Sequence, residues 1–291
     1  MGSVRSFVAI HWRNTVYSNV WISICAFVWI LQSEAVLCAS TDFYLPLFAS
    51  FSTLFLYNFQ RILKLKHRLK KTNSNRNHWI SNHATFLWIW TIIGFLGVVF
   101  TSVSLFWTDI FLLVIPTAIS FLYVMRIFRV KGNLVTGRQI PHAKIWMIAL
   151  SWAALGALIP LNHFGSLEDA FSTTSLMWFL EKLFFFVAIT IPFDLRDLQF
   201  DPTHMRTIPQ IAGEKRSLKI GQLLMLLSTI CALALYLIDF YSLNILLALT
   251  AANFITALLI GKTNAKRDEL WYGGVLDSTI FLQSAAVLMV T

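Results

Sequence analysis

At 291 residues, 57% hydrophobic and 13% charged, with a mean hydropathy of +0.68, the chain is too apolar for a soluble domain of ordinary composition. Its formal net charge of +9 does not point to nucleic acid, because the basic residues alternate from loop to loop as membrane topology requires. Cys25, Cys38 and Cys231 fit neither a disulfide framework nor a metal knuckle, and apolar packing is the expected role of each.

Apolar runs of about 20 residues, the length that crosses a bilayer, fall at 17–38, 43–62, 84–106, 109–128, 144–161, 174–193, 218–238, 241–261 and 274–291. They predict an all-α polytopic bundle of nine transmembrane helices, forming a single membrane-embedded domain over 1–291. The first run is too long for a signal peptide and is read as an uncleaved anchor. Arg5 and Arg13 precede the first run, Lys64 to Arg76 follow the second, and Arg126 to Lys144 surround the connection after the fourth. Arg196 to Lys219 follow the sixth run, and Lys262, Lys266 and Arg267 follow the eighth. The other connections carry Glu34, Asp42, Asp109, Glu168, Asp169 and Asp239 without Lys or Arg. The positive-inside rule then predicts a multi-pass integral membrane protein with a cytoplasmic N-terminus and an outer C-terminus. We expect the membrane to be a bacterial inner membrane.

Taken in order, residues 1–16 are basic and aromatic, which suits anchoring at the interface. Asn58 and Arg61 stand one turn apart near the cytoplasmic end of the second run, either lining a cavity or with Arg61 reaching to lipid phosphates. After the fourth run, Tyr123 and Arg126 are again one turn apart, with Arg138 and Lys144 beyond them. Such cations suit a phosphate or diphosphate, although a topology signal alone also explains their charge. Glu181 and Lys182 lie within the sixth run. As adjacent residues they are expected to point apart, with Lys182 extended toward the interface.

The densest feature is IPFDLRDLQFDP, 191–202, in which Asp194, Asp197 and Asp201 are spaced i, i+3, i+7. On a helix this forms one acidic face, and like charges there call for a divalent metal or a cationic partner. The plainer reading is a solvated helix end. Pro202 disfavours helix at Asp201, which places the third carboxylate at the start of a loop. That loop carries Arg206, Lys215, Arg216 and Lys219, so acid and base alternate as binding of a metal-bridged polyanion requires.

Nine helices, a cytoplasmic D-x-x-D-x-x-x-D at Asp194, Asp197 and Asp201, then R-T-I-P from Arg206 and L-K-I-G from Leu218 resemble the UbiA superfamily of intramembrane prenyltransferases. The resemblance implies a helical bundle that moves a prenyl group from a prenyl diphosphate to a lipophilic acceptor. It implies Mg²⁺ held by two aspartate motifs. Tyr123 with Arg126 resembles the family's tyrosine and basic residue near the diphosphate. The first motif departs: Asn58 matches its asparagine, but Phe59, Ile62 and Lys66 stand at its acidic positions. The expectation is therefore a prenyltransferase with an altered site. Asp194 and Asp197, with Asp201, would hold one Mg²⁺ and act in catalysis. Asn58, Arg61, Tyr123, Arg126 and Arg206 would bind the diphosphate. The alternative is a non-catalytic lipid-diphosphate-binding or assembly protein on the same fold.

Overall fold

The structure, a computed structural model, describes residues 2–37, 43–68, 75–130 and 132–291. The expectations placed on Cys38, Asp42, the basic loop at 69–74 and Lys131, and on the side chain of Lys66, lie outside them. The described chain is mainly helical. It runs through α1 (Gly2–Tyr17), α2 (Val20–Val36), α3 (Tyr44–Arg68), α4 (Asn75–Asn82), α5 (Ala84–Thr101) and α6 (Trp107–Leu122). A two-stranded hairpin, β1 (Arg126–Val130) and β2 (Asn133–Thr136), follows. Then come α7 (Ala143–Ala153), a π turn at Ala154–Leu158, α8 (Ile159–Phe164), α9 (Leu167–Ala170) and α10 (Thr173–Asp197). The chain ends with α11 (Ile208–Ala212), α12 (Glu214–Leu237), α13 (Leu243–Gly261), a π turn at Trp271–Leu276 and α14 (Ser278–Leu288).

Among the described residues, five helices are long and apolar enough to cross a membrane, or six if the bent pair Val8–Tyr17 and Val20–Val36 is one span. The expected nine is reached only in part. The others fall short for local reasons: α3 runs into a basic end, α6 has 16 residues, and the final run is divided by its π turn from the 11 residues of α14. Residues 126–128, expected at the end of a helix, fall in β1 instead. Across the hairpin Phe128 pairs with Val135 and Arg129 with Leu134, with a register shift between Arg126 and Phe128, and Ile127, Phe128 and Val135 are β-branched or large side chains that suit a pleated surface.

The helices group into two compact units. The first holds the described residues of 1–29, 42–104 and 268–281. In it α3 packs along α5, so closely at Gly94 that a Cβ there would lie 2.7 Å from the Phe55 backbone nitrogen. The 71° bend between α1 and α2 is built on Asn19, which takes a left-handed φ of 61° of the kind asparagine tolerates better than most residues.

The second unit holds the described residues of 30–41, 105–267 and 282–291. Its axis is α10, packed against α7 and α12, with α12 in turn against α13. Glu181 and Lys182 are fully buried on α10 and form an ion pair at 3.2 Å, contrary to the expectation that neighbours in sequence point apart. The lysine stem is long enough to turn its ammonium back toward Glu181. Tyr241 and Ser228 donate to Glu181, each at 3.4 Å. Burial and the nearby Glu181 push the Tyr241 phenol well above its ordinary pKa, which keeps it a donor. The chain of contacts continues from Ser228 through Asn253 to Gln283. Glu34, expected in a connection, is instead fully buried within α2.

Two expected outcomes follow from these packings. Gly94→Val should lower the thermal midpoint in detergent, with overpacking of this kind costing about 1–3 kcal/mol. Lys182→Met should cost about 3–5 kcal/mol by leaving Glu181 buried without its countercharge. Denaturant titrations should show much of that loss recovered in the Glu181→Gln, Lys182→Met pair.

Candidate functional site

The site is built at the C-terminal end of α10. Ile191 and Leu195 are fully buried, which fixes the rotation of the helix and turns Asp194 and Asp197 to a shared face at i, i+3. The helix stops at Asp197, and one further turn, in which the Asp201 amide donates to the Asp197 carbonyl at 2.8 Å, delivers the third carboxylate before Pro202. Gln210 then donates to the Asp201 and Pro202 carbonyls at 3.1 and 3.2 Å, holding the turn against α11.

Opposite these acids, the first turn of α7 presents Lys144. Its Nζ lies 2.7 Å from Asp197 Oδ2, 2.8 Å from Asp201 Oδ2 and 3.0 Å from Asp194 Oδ1. A cation in the first turn of a helix works against the helix dipole, so the carboxylates are what hold this ammonium there. The loop after α10 is tied to the same place, because the His142 amide donates to the Met205 carbonyl at 2.9 Å.

Arg138 arrives by a second route. Behind the hairpin, Gly137 passes so close to the end of α6 that a Cβ would lie 2.5 Å from the Leu122 carbonyl oxygen. This approach lets the Arg138 amide donate to the Tyr123 carbonyl at 3.3 Å and sets its guanidinium over the Tyr123 ring, 5.6 Å from the centroid. Arg138 Nη2 donates to Asp201 Oδ1 at 3.0 Å and lies 3.7 Å from Asp197 Oδ2. Burial alone would disfavour its charge, but Tyr123, Asp197 and Asp201 outweigh that and raise its pKa. Arg196 donates from Nε to Asp197 Oδ1 at 2.8 Å. The cluster thus sets three carboxylates against three cations, Lys144, Arg138 and Arg196. Asp194 is 1% exposed and Lys144 4%.

A cavity of about 60 Å³ borders the cluster, lined in part by His142, Lys144, Asp194, Arg206 and Thr207. Its size suits a few waters. Arg206 is an exposed residue with a left-handed φ of 49°, placed at this cavity rather than among the acids.

The structure therefore brings together Asp194, Asp197 and Asp201, sets Tyr123 beneath Arg138, and puts Arg206 beside the cavity. Arg126 is not one helical turn from Tyr123, since α6 ends at Leu122 and Arg126 is exposed on β1. Asn58 and Arg61 belong to the other unit. There Asn58 is fully buried, donating to the Ser18 carbonyl at 3.0 Å and accepting from Asn19 at 2.8 Å, while Arg76 donates to Asn19 at 2.9 Å. Its amide is engaged in fixing the α1–α2 bend. Lys144 and Arg138, read from the sequence as cations suited to a phosphate or as a topology signal, are the direct partners of the acids. Nothing in their spacing marked that pairing, which spans 50 to 63 residues.

Mg²⁺ requires an octahedron of oxygens at about 2.0–2.1 Å. Here each of the three carboxylates faces the ammonium of Lys144 at hydrogen-bonding lengths. Among the described residues no group of three or more His, Cys, Asp or Glu is arranged to hold a metal. The donor set fits an ammonium and does not fit the metal that the resemblance implied.

No protein-family profile and no curated protein matches the sequence. Among solved structures, a digeranylgeranylglyceryl phosphate synthase in membranes matches with a TM-score of 0.51 at 12% identity, over 99% of this chain and 97% of that one. That synthase is a UbiA-superfamily prenyltransferase. The chain therefore has the fold of the UbiA superfamily of intramembrane prenyltransferases.

Proposed function

We propose that this protein is an intramembrane prenyltransferase, acting as one membrane-embedded domain over residues 1–291 with its N-terminus and the Asp194 cluster on the cytoplasmic side. The observation that carries the reading is a cation-rich acidic cluster beside a cavity at the end of α10, in a chain that shares its fold with a prenyltransferase over 99% of its length. The substrates are a prenyl diphosphate and a lipophilic acceptor.

In this reading the diphosphate is bound by cations of the chain itself. Arg206 meets it first, because it lies at the cavity and is exposed. Lys144 lines the same cavity, Arg138 is joined to Lys144 through Asp201, and Arg side chains pair with phosphate oxygens in bidentate fashion. The carbon–oxygen bond of the prenyl diphosphate breaks with its electron pair leaving on the diphosphate. The acceptor forms the new bond to the allylic carbon and gives up a proton. The protein's part is to place positive charge where negative charge develops, the role that fixed donors and cations play in such sites. Asp194, Asp197 and Asp201 keep Lys144 and Arg138 in position. Tyr123 supports Arg138 from the other side.

A second reading, a lipid-diphosphate binder without turnover, is favoured by one observation: the acids are already neutralised by internal cations. Purified protein in nanodiscs, given labelled geranylgeranyl or longer prenyl diphosphates and a lipid extract, separates the two. Prenyl transfer is expected, with diphosphate released, and Arg206→Ala is expected to slow it by about 10²-fold, the cost of removing one charge-stabilising donor. Tight binding without release under any condition would select the binder, and absence of binding would overturn both.

A further inference from the structure

We propose that Lys144 is the resident cation of this acidic motif and that it keeps divalent metal out. The inference concerns which cation occupies the motif, and it holds whether or not prenyl transfer takes place.

Three observations carry it. An ammonium has three N–H bonds and no acceptor, and Lys144 Nζ has three carboxylate oxygens within 2.7 to 3.0 Å, one from each of Asp197, Asp201 and Asp194. Two of these contacts are hydrogen bonds. The contact to Asp194 Oδ1 is an ion pair, off the hydrogen-bond direction. The point where the three acids converge is thereby filled by nitrogen.

The second observation is charge. Three carboxylates already face Lys144, Arg138 and Arg196, so a divalent ion added to them would leave an excess of two positive charges beside buried groups. Such an excess carries a large desolvation cost. Metal entry thus requires Lys144 to leave.

The third observation is confinement. The side chains of Lys144 and Asp194 are 5% and 1% exposed, and the start of α7 is tied to the loop after α10 through His142 and Met205. The lysine is enclosed on its own helix and by the loop it faces. An ammonium held in this way does the electrostatic work of a bound cation without depending on metal supply. Replacing it by a neutral side chain of similar length would leave three acids facing an empty place, which is a donor set that takes Mg²⁺ or Mn²⁺.

The test is Mn²⁺ binding by the full chain in detergent, followed by electron paramagnetic resonance and equilibrium dialysis, with no substrate present. The wild-type protein is expected to show no saturable Mn²⁺ binding at the cluster, so that Asp194→Asn leaves its titration unchanged. Lys144→Met is expected to gain saturable Mn²⁺ binding, with a Kd at least about tenfold below the highest Mn²⁺ concentration at which the wild type shows none, and adding Asp194→Asn to it should abolish the gain. Where Lys144→Met fails to fold, Lys144→Gln serves in its place. Saturable binding by the wild type that Asp194→Asn removes would overturn the proposal, because Lys144 would then yield to the metal. A folded Lys144 variant that gains no Mn²⁺ binding would overturn it as well, since the acids would then not be excluding metal on account of the lysine.

Discussion

The placement of one ammonium among three carboxylates governs this site. Lys144 draws Asp194, Asp197 and Asp201 to a single point, and the elements around it are arranged to make that possible. The turn after α10 brings Asp201 back toward the helix, and the close passage of Gly137 by the end of α6 brings Arg138 in. Such a cluster is a poor source of stability, because removing charges from water costs as much as their attraction returns, and apolar replacements are often neutral or better. Its presence at the end of a mainly apolar helix points to a task other than holding the bundle together. Burial in the bundle is supplied instead by side chains such as Trp178, Phe185 and Phe186 on α10.

The two units treat charge in parallel ways. In the first, Arg76 donates to Asn19, whose own amide donates to Asn58, the residue that stands where the resemblance places the start of an aspartate motif. In the second, Lys144 stands among the three aspartates at the end of α10. In the proposed reading, the apolar Phe59 and Ile62 at positions where the resemblance expects acids, and the lysine that faces the acids of α10, have the same electrostatic effect. Each lowers the demand for a divalent ion and moves the positive charge into the polypeptide. Arg and Lys differ in this use: the guanidinium of Arg138 spans two acids and stacks on Tyr123, whereas the compact ammonium of Lys144 sits at a point of convergence.

Much of this was legible in the sequence, and what was not has physical causes. The apolar runs marked the helices because length and hydropathy are properties of a single segment. The i, i+3, i+7 spacing marked the acidic face, and Pro202 marked the end of the helix, for the same local reason. The identity of the partner was hidden, since spacing reports neighbours along one element and Lys144 reaches Asp197 and Asp201 across 53 and 57 residues. The first residues of β1, up to 128, were read as the end of a helix because a short apolar run carries no period strong enough to distinguish helix from strand. The Glu181–Lys182 pair was misread because the direction of adjacent Cβ atoms does not limit where a four-carbon stem can place its nitrogen. Helix α1 was read only as an interfacial segment, as its basic and polar residues give it no apolar run.

The most direct measurement is an experimental structure of the protein with a thio-substituted prenyl diphosphate and Mn²⁺, in which anomalous scattering locates every bound manganese. Lys144 Nζ is expected to remain within ion-pair distance of Asp194, Asp197 and Asp201, with no anomalous peak among them. A manganese peak between Asp194 and Asp197, with Lys144 displaced from both, would contradict the assignment of Lys144 as the resident cation.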